Sequence, residues 1–338
     1  DLNHVFFANS GSEANDTIVR MVRHFWAVQG QPRKNVFIAR HNGYHGSTIA
    51  GASLGGMKAM HAMGGLPIPD IVHIDQPYWF GEGGDSDPVS FGLMRAQQLE
   101  AKILELGPER VAAFIGEPIQ GAAGVFVPPD GYWKEIERIC RKYDVLLVAD
   151  EVITGFGRTG EWFASQHFGI QPDVMTLAKG ITSGYIPLGA VMVNDRIASV
   201  LKEKGGELAH GYTYSGHPVC AAVALENIRI LEEEGIVDRV RNDTGPYLKQ
   251  RWHELGKHPM VGEARIVGMM GALELVPSKP SRQYFPERGT VGARTRDIAL
   301  GNGLILRATN DAMLLSPPLI LSRANIDELF EKAWKSLD

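Results

Sequence analysis

Short, almost uninterrupted apolar runs recur along the first half of the chain, with helical patterns between several of them. Over residues 12–29, for example, apolar side chains recur at the spacing of one helix face, and Gly30 and Pro32 then end the helix. Apolar runs of this length that alternate with helices predict a parallel sheet covered on both faces. The predicted strands lie at 5–8, 36–38, 111–115, 145–149 and 174–177, and two further helices at 94–106 and 133–143.

The pattern changes after a long helix predicted at 219–234. Further strands are predicted at 269–275, 304–306 and 313–315, and the chain closes with a helix that begins at Asn325. A length of 338 residues suits either two domains or one large domain. We predict an α/β fold with a large ligand-binding domain at 1–222, followed by a linking helix and a smaller α+β domain at 223–338.

Composition and charge argue against several classes of protein. Lys and Arg number 34 against 39 Asp and Glu, and the net charge of −5 offers no basic field to nucleic acid. No apolar run approaches the ~20 residues of a membrane helix, so we expect no membrane partner. Cys140 and Cys220 fit neither a disulfide framework nor a zinc site. We therefore expect a cytoplasmic protein without a bound metal.

Polar residues follow the predicted strands at the sheet edge where α/β proteins bind ligands. After the first strand, Gly11 permits a tight turn, and the next helix directs its free N–H groups and positive dipole end towards that turn. Such a helix start suits a phosphate. The alternative is a capping box of the form S-x-x-E, made by Ser10 and Glu13 without any ligand.

A carboxylate and an amine follow two later strands. Asp150 ends a buried strand and therefore needs a partner, either Mg²⁺ or a cationic ligand atom. The magnesium–nucleotide hypothesis also requires the string G-x-x-x-x-G-K-[ST], which the chain lacks. Lys179 follows the next strand, where it is either a Schiff-base nucleophile or a structural lysine that extends its amine into solvent.

One stretch, 155–160, matches G-x-G-x-x-G, the string of many dinucleotide sites. Four residues separate its first glycine from Asp150, and the next acid, Asp173, precedes a strand where a dinucleotide site needs one at a strand end. We interpret this stretch as a loop. An NAD-linked dehydrogenase built on it is the least favoured hypothesis for function.

Pyridoxal 5′-phosphate (PLP) needs all three of the features at these strand ends. Its phosphate requires a helix N-terminus, its pyridinium nitrogen a carboxylate and its aldehyde a lysine amine. The combination of Gly11, Asp150 and Lys179 is therefore more specific than any one of these residues, and it predicts a PLP enzyme.

Eight strings along nearly the whole chain match one enzyme family in the family's own order. They are NSGSEAN at 9–15, YHG at 44–46, GEPIQG at 116–121, DEV at 150–152, GFGRTG at 155–160, AKG at 178–180, GYTYSGHP at 211–218 and GLILR at 303–307. They resemble the class III (omega-) aminotransferases of PLP fold type I, and most closely the pyruvate-dependent amine and putrescine transaminases.

The resemblance implies a three-layer α/β/α large domain with a mainly parallel sheet and a smaller C-terminal α+β domain. Family members also carry a segment ahead of the first matched string, which this sequence lacks. The implied reaction moves an amino group from a primary amine, a diamine or an omega-amino acid to pyruvate, giving an aldehyde or ketone and alanine. Another reaction on the same fold, such as that of a decarboxylase or an aminomutase, is the alternative.

The resemblance also implies roles for individual residues. Lys179 is expected to bind the cofactor covalently and to act as the general base, and Asp150 is expected to pair with the ring nitrogen. Tyr44 and Val152 would pack on opposite faces of the ring, and Gly11 and Ser12 would bind the phosphate. The remaining cofactor-binding residues implied by the family are His45, Glu117 and Thr213.

Three residues are implied in substrate binding: Tyr44, Tyr212 and Arg307. Arg307 resembles a mobile arginine whose two-pronged guanidinium binds the carboxylate of the acceptor; a structural ion pair is the alternative. In the family, residues at the positions of Tyr212 and Thr213 reach the site of a neighbouring subunit. The resemblance therefore implies a homodimer with shared active sites.

Overall fold

A seven-stranded sheet forms the centre of the larger part of the structure, a computed structural model that describes residues 1–279 and 282–338. Its strands are β1 (His4–Ala8), β2 (Val36–Arg40), β3 (Ile71–Ile74), β4 (Val111–Gly116), β5 (Leu146–Asp150), β6 (Val174–Leu177) and β7 (Gly189–Val193). They lie side by side in the order β1-β7-β6-β5-β4-β2-β3. All five strands predicted in this region are present, and β3 and β7 are additions.

The neighbouring strands β3, β2, β4, β5 and β6 are parallel, but β7 runs antiparallel to both β6 and β1. The predicted mainly parallel sheet is confirmed: five neighbouring strands are parallel, and β7, which lies next to the edge strand β1, is the antiparallel exception. The reason is the connection, because a parallel return needs a crossover of about a dozen residues or more, usually a helix. Residues 178–188 instead contain only a short 3₁₀ helix, Lys179–Thr182.

Helices cover both faces of this sheet and give three layers. Along β4, Ala113 and Ile115 belong to the apolar cluster that contains the buried face of the first helix, whereas Phe114 belongs to the cluster on the opposite face. This alternation is the two-residue repeat of a strand that is buried on both sides. The helices are α1 (Gly11–Val28), α2 (Ile49–Leu54), α3 (Lys58–His61), α4 (Trp79–Glu82), α5 (Pro88–Leu106), α6 (Tyr132–Lys142), α7 (Ala164–His167) and α8 (Asp195–Lys204).

A second, antiparallel sheet follows the long helix α9 (Pro218–Glu233). Its strands are β8 (Val261–Val267), β9 (Met270–Leu275), β10 (Arg307–Thr309) and β11 (Ala312–Leu315), in the order β10-β11-β9-β8. Packed with it are α10 (Ile236–Arg239), the π-helical turn Val240–Thr244, α11 (Gly245–Leu255), α12 (Thr290–Gly301) and α13 (Arg323–Leu337). Trp252 of α11 and Leu329 of α13 share one apolar core with this sheet.

The strand predicted at 304–306 is wrong by three residues, because β10 begins only at Arg307. Its hairpin with β11 pairs Thr309 with Ala312 and ends with Arg307 opposite Leu314. Shortly beyond β11 come Pro317 and Pro318, which have no N–H to donate to a ladder. Before Arg307, Leu304 and Leu306 pack against the core while Ile305 is exposed, and all three lie outside the strand.

The predicted boundary between residues 222 and 223 falls inside α9. The division of the chain at that point stays a prediction. Within residues 1–279 and 282–338, no helix has both the length and the apolar character needed to span a membrane.

A buried arginine connects the second sheet to the loop that follows β4. Arg265 of β8 is only 7% exposed, and its guanidinium donates to the carbonyl oxygens of Gly124 and Val125 at 2.9 and 3.1 Å. It also forms ion pairs with Glu263 at 2.6 Å and with Glu274 at 2.8 Å. Glu274 is 2% exposed, so this carboxylate depends on Arg265 for its charge partner.

We expect Arg265→Ala to lower the free energy of unfolding by about 3–5 kcal/mol, because it leaves the Glu274 carboxylate buried without a cation. Urea unfolding followed by circular dichroism measures the loss. Arg296→Ala is the matched control, since Arg296 pairs with Asp297 on the surface, and such a pair contributes about 1 kcal/mol or less. Similar losses for the two variants would contradict this role of Arg265.

Candidate active site

A cavity of about 470 Å³ lies where the carboxyl ends of β4, β5 and β6 approach the N-terminus of α1. Glu117 follows β4 directly, Asp150 is the last residue of β5, and Lys179 comes two residues after β6. Because these three strands are neighbours in the sheet, the three side chains meet at one edge. The predicted site residues that line this cavity are Gly11, Ser12, Tyr44, His45, Glu117, Asp150, Val152 and Lys179.

Three other predicted residues lie outside this cavity. Tyr212 packs against α1, where its hydroxyl donates to the carbonyl oxygen of Glu13 at 2.9 Å. Thr213 and Arg307 are exposed. Within the part of the chain that the structure describes, Arg307 forms no ion pair, so the alternative of a structural ion pair has no partner there. The predicted functions of these three residues stay predictions.

The Asp150 carboxylate accepts hydrogen bonds from three donors. Only 3% exposed, its Oδ2 accepts from Nδ1 of His45 at 2.7 Å and from Nδ2 of Asn15 at 2.9 Å. Its Oδ1 accepts from the backbone N–H of Val152 at 3.1 Å. A carboxylate oxygen has two acceptor positions, so Oδ1 keeps one for a donor in the cavity.

These hydrogen bonds decide the charge of Asp150. Burial by itself would raise the pKa of its carboxyl group. The hydrogen bond and positive potential of His45, together with the donors on Asn15 and Val152, outweigh burial and bring the pKa below its ordinary value. Asp150 is therefore an anion at neutral pH, as a partner for a protonated ring nitrogen must be.

Asn15 is a functional candidate that the sequence reasoning did not single out. Only 1% exposed, it donates from Nδ2 to Asp150 and also to the carbonyl oxygen of His45 at 2.8 Å, while its Oδ1 accepts from the Thr176 hydroxyl at 2.8 Å. The signal was available, because Asn15 falls on the buried face of α1 with Ile18 and a buried amide in a helix needs partners.

Glu117 joins the loop after β4 to the loop that carries Tyr44. Its two carboxylate oxygens accept from the backbone N–H groups of Tyr44 at 3.0 Å and of Gly121 at 2.9 Å. Burial raises the pKa of Glu117, and although His45 opposes this effect and Asp150 adds to it, the net pKa remains raised. The Tyr44 hydroxyl lies 3.0 Å from Oγ of Ser47 at the rim.

The N-terminus of α1 has a cap and still presents free N–H groups. Oγ of Ser10 accepts from the N–H of Glu13 at 3.2 Å, which confirms half of the predicted capping box. The Glu13 carboxylate accepts from the backbone of Asn9, where a complete box would bind Ser10. Within residues 1–279 and 282–338, the amides of Gly11 and Ser12 have no partner. They form an anion site at the positive end of an 18-residue helix.

Close packing explains the glycine at position 11. A Cβ there would lie 2.9 Å from Cγ2 of Val152, well inside van der Waals contact. Gly46 has a φ of +126°, in the left-handed region, and packs even more closely on Ser12. A Cβ added at Gly46 would lie 2.6 Å from Oγ of that serine. Both glycines therefore let the start of α1 approach the residues that line the cavity.

Lys179 has an unusual backbone conformation. Its φ is +41°, in the left-handed region, which costs a non-glycine residue about 1–3 kcal/mol. Its side chain is exposed in the cavity, and Nζ has no hydrogen-bond or ion-pair partner among the described residues. The amine is thus available to a ligand that enters the cavity, and the catalytic role of Lys179 stays a prediction.

The acid next to Asp150 faces the other way. Glu151 is fully buried and accepts from the hydroxyl of Thr154 and from the backbone N–H groups of Ala164 and Ser165 at 3.0 and 2.6 Å. Successive side chains at a strand end point in opposite directions, so the two carboxylates do not combine into a magnesium site. No group of three or more His, Cys, Asp or Glu residues in the described chain is arranged to hold a metal ion.

Residues 155–160 form consecutive turns, as the loop interpretation predicted. Gly157 packs on Val237 and Gly160 on the backbone of Arg241, and the next helix, α7, begins only at Ala164. A dinucleotide fingerprint requires the glycines to join a strand directly to a helix. The dehydrogenase hypothesis is therefore not supported.

Comparison with known proteins agrees with this arrangement. Residues 1–337 match the family model "Aminotransferase class-III". The chain is 63% identical over 337 residues to the putrescine–pyruvate aminotransferase of Pseudomonas aeruginosa, covering all of this chain and 74% of that protein. It is 43% identical over 346 residues to the diaminobutyrate–2-oxoglutarate transaminase of Halomonas elongata, with the same two coverages.

Solved structures agree as well. The omega transaminase of Pseudomonas jessenii in complex with PMP superposes with a TM-score of 0.97 at 44% identity, covering 99% of this chain and 75% of that one. An alanine-bound transaminase superposes with a TM-score of 0.96 at 42% identity, covering 98% of this chain and 79% of that one. These likenesses confirm the predicted fold, and every relative named here is an aminotransferase, which favours that reaction over decarboxylation or an aminomutase.

We expect Asn15→Leu to raise the pKa of Asp150 and to lower the free energy of unfolding at pH 7 by about 1.5–3 kcal/mol, the value of a hydrogen bond to a charged group. Because the folded pKa of Asp150 is depressed, this stabilisation is present above the unfolded pKa of about 3.9 and is lost as pH falls through the folded pKa. Urea unfolding at pH 7, and at the lowest pH where both proteins stay folded, measures it.

Asn35→Leu is the control for that variant, because Asn35 donates to the Asp70 carboxylate at 3.1 Å outside the cavity. We expect a loss of about 1 kcal/mol or less there, since water can replace the amide. If the Asn15 variant is as stable as the unmodified protein at pH 7, Asn15 does not support the Asp150 charge.

Proposed function

This chain belongs to the class III aminotransferases, and from that premise we propose that it transfers the amino group of a small aliphatic diamine, such as putrescine, to pyruvate. Transamination with PLP is the reaction of the family, so the proposal concerns the two substrates and the residues that act on them. The observation that carries it is the meeting of Lys179 and Asp150 in one cavity beside the start of α1.

The residues of the cavity fit PLP. The unpartnered amides of Gly11 and Ser12 suit its phosphate, and the ionised Asp150 has an acceptor position left on Oδ1 for the ring N–H. Nζ of Lys179, which has no hydrogen-bond or ion-pair partner among the described residues, suits its aldehyde. Tyr44 and Val152 line the same cavity and would pack on the ring. When bound, the cofactor supplies an electron sink for the negative charge that develops at the substrate Cα.

Asp150 and Lys179 then divide the proton chemistry between them. Asp150 holds a proton at the ring nitrogen, because its hydrogen bonds keep it anionic. Lys179 moves a proton to and from the substrate Cα as the general base. Glu117 and Asn15 do not transfer protons in this scheme; each fixes the loop or carboxylate next to it.

The lining of the cavity supports an amine donor. Glu117 and Asn9 are among its polar lining residues, and Lys179 is the one Lys or Arg in the lining. The remainder is largely apolar, with Ile153 and Leu188 among its members. An aliphatic chain with an ammonium end fits these surfaces, and the Pseudomonas aeruginosa relative is named for putrescine and pyruvate.

The acceptor needs a cation that the cavity itself does not provide. Arg307 lies at the start of β10, exposed and without an ion pair in the part of the chain described. A guanidinium binds a carboxylate through two parallel hydrogen bonds. We propose that Arg307 binds the pyruvate carboxylate and withdraws when the amine is bound, since both substrates use one cavity.

The same proposal includes a homodimer in the cytoplasm. The segment that holds Tyr212 and Thr213 continues into exposed apolar residues, among them Tyr214, Val219 and Leu225. Burying such residues against a second copy is favourable, and it would bring Thr213 towards a neighbouring site. Both cysteines are free and buried, which is compatible with a reducing compartment.

The direct test is a donor screen with pyruvate as the acceptor. We expect alanine to form fastest with short diamines, more slowly with omega-amino acids and arylalkylamines. Lys179→Ala should lose the PLP–lysine absorbance and turnover, whereas Lys335→Ala, an exposed lysine of α13, should keep both. Full turnover by the Lys179 variant would overturn the proposed mechanism, and preference for a non-diamine donor would overturn the proposed substrate.

We expect Arg307→Ala to raise the KM for pyruvate by about 10- to 100-fold, the loss of a charge-assisted hydrogen-bond pair, with little change in the half-reaction of the diamine. Stopped-flow measurement of the two half-reactions separates these effects. Arg307→Lys should restore only part of the KM for pyruvate, because lysine keeps the positive charge but cannot form two parallel hydrogen bonds to the carboxylate. Equal losses in both half-reactions would contradict this assignment.

A further inference from the structure

One side chain from α9 holds the turn that carries Lys179. Nδ2 of Asn227 donates to the carbonyl oxygens of Gly180 at 2.9 Å and of Ile181 at 3.1 Å. Oδ1 of the same amide accepts from the hydroxyl of Ser183 at 2.7 Å. Asn227 therefore uses both donor and acceptor ends of its amide on residues within four positions of Lys179.

The backbone of this turn is strained and therefore needs hydrogen bonds from outside the turn to hold it. Lys179 and Ser183 both have positive φ, at +41° and +48°, and Gly184 follows at +77°. Such conformations of non-glycine residues persist only where the surroundings enforce them. Inside the turn, the amides of Ser183 and Gly184 donate to the carbonyl oxygens of Gly180 and Lys179 at 3.2 and 3.1 Å. The first of these bonds spans three residues, as in a 3₁₀ helix, and the second spans five, so neither is a regular α-helical bond.

The helix that provides Asn227 is itself firmly placed. Ala224 and Leu231 of α9 are buried in the apolar cluster that also contains Ile181 and Leu188, which flank the turn. Asn227 thus lies on a helix whose position is set by packing on both sides of it. A rigid element that donates to two adjacent carbonyl groups fixes their peptide planes.

We propose that Asn227 is a positioning residue that holds the turn at 179–184 so that Lys179 enters the cavity. The proposal rests on the proposed role of Lys179 in the reaction. The amide of Asn227 touches neither reacting group, and it acts through the backbone on either side of the lysine.

The isosteric variant Asn227→Asp isolates the two donors. It keeps the acceptor for Ser183 and the shape of the side chain but places a carboxylate oxygen against the two carbonyl oxygens. Asn227→Ala removes all three bonds without adding charge, and Ser183→Ala removes only the bond from the hydroxyl. Glu233→Ala, at the exposed end of α9, controls for general effects on the helix.

Two measurements on the full-length enzyme follow the turn and the lysine. Hydrogen–deuterium exchange reports the amides of Ser183 and Gly184, with and without PLP. Borohydride trapping with peptide mass analysis reports how fast Lys179 becomes linked when cofactor-free enzyme is given PLP. In both Asn227 variants we expect these two amides to exchange about 10-fold faster or more. We expect Lys179 in the same variants to become linked to PLP about 10-fold more slowly or more.

In steady state, kcat should fall with little change in either KM, because the substrate contacts are intact. Ser183→Ala should change each rate by about threefold or less, and Glu233→Ala should match the unmodified enzyme. Wild-type exchange and linkage in either Asn227 variant would overturn the proposal. Trapping in Lys179→Ala at another lysine would overturn the role of Lys179 instead, and the exchange rates would still decide the role of Asn227.

Discussion

The structure of the site depends on the burial of one anion, the Asp150 carboxylate. A buried carboxylate without donors is costly, and here three donors hold it, from Asn15 of α1, from His45 and from the backbone of Val152. These donors come from three separate segments that must converge at the end of β5. The anion therefore organises the α1 start, the loop after β2 and the loop after β5 around one point.

The sheet topology explains why the carboxyl and amine groups of one cavity can come from distant parts of the sequence. Glu117, Asp150 and Lys179 are more than 60 residues apart at their extremes, but β4, β5 and β6 are neighbours, so their carboxyl ends form one edge. The antiparallel β7 then turns the chain back after Lys179 without a crossover helix. Because this connection is short, Lys179 lies on a tight turn, and the side chain of Asn227 donates to the backbone of that turn.

Sequence reasoning reached five strands of the large sheet, the main helices and the three strand-end groups, because burial and periodicity are local signals, but it did not find β3, β7 or β8. It missed Asn15 and Asn227, since each acts through hydrogen bonds to residues far away in sequence. It also misplaced β10, because Leu304 and Leu306 pack against the core without joining the strand ladder, and Ile305 is exposed. Contacts between distant residues decide such details, and a single sequence does not display them.

The roles proposed for these residues would separate recognition of the acceptor, by Arg307, from the chemistry. The amine, the ring-nitrogen partner and the helix start all belong to the seven-stranded sheet and its loops, whereas Arg307 belongs to the antiparallel sheet. A fixed cation inside the cavity would oppose the ammonium of the donor by like-charge repulsion. An exposed arginine on another sheet avoids this conflict, because it can neutralise a carboxylate when one is present and remain in solvent when an amine is bound. If Arg307 binds the acceptor as proposed, one cavity accepts substrates of opposite charge without changing the groups that move the proton.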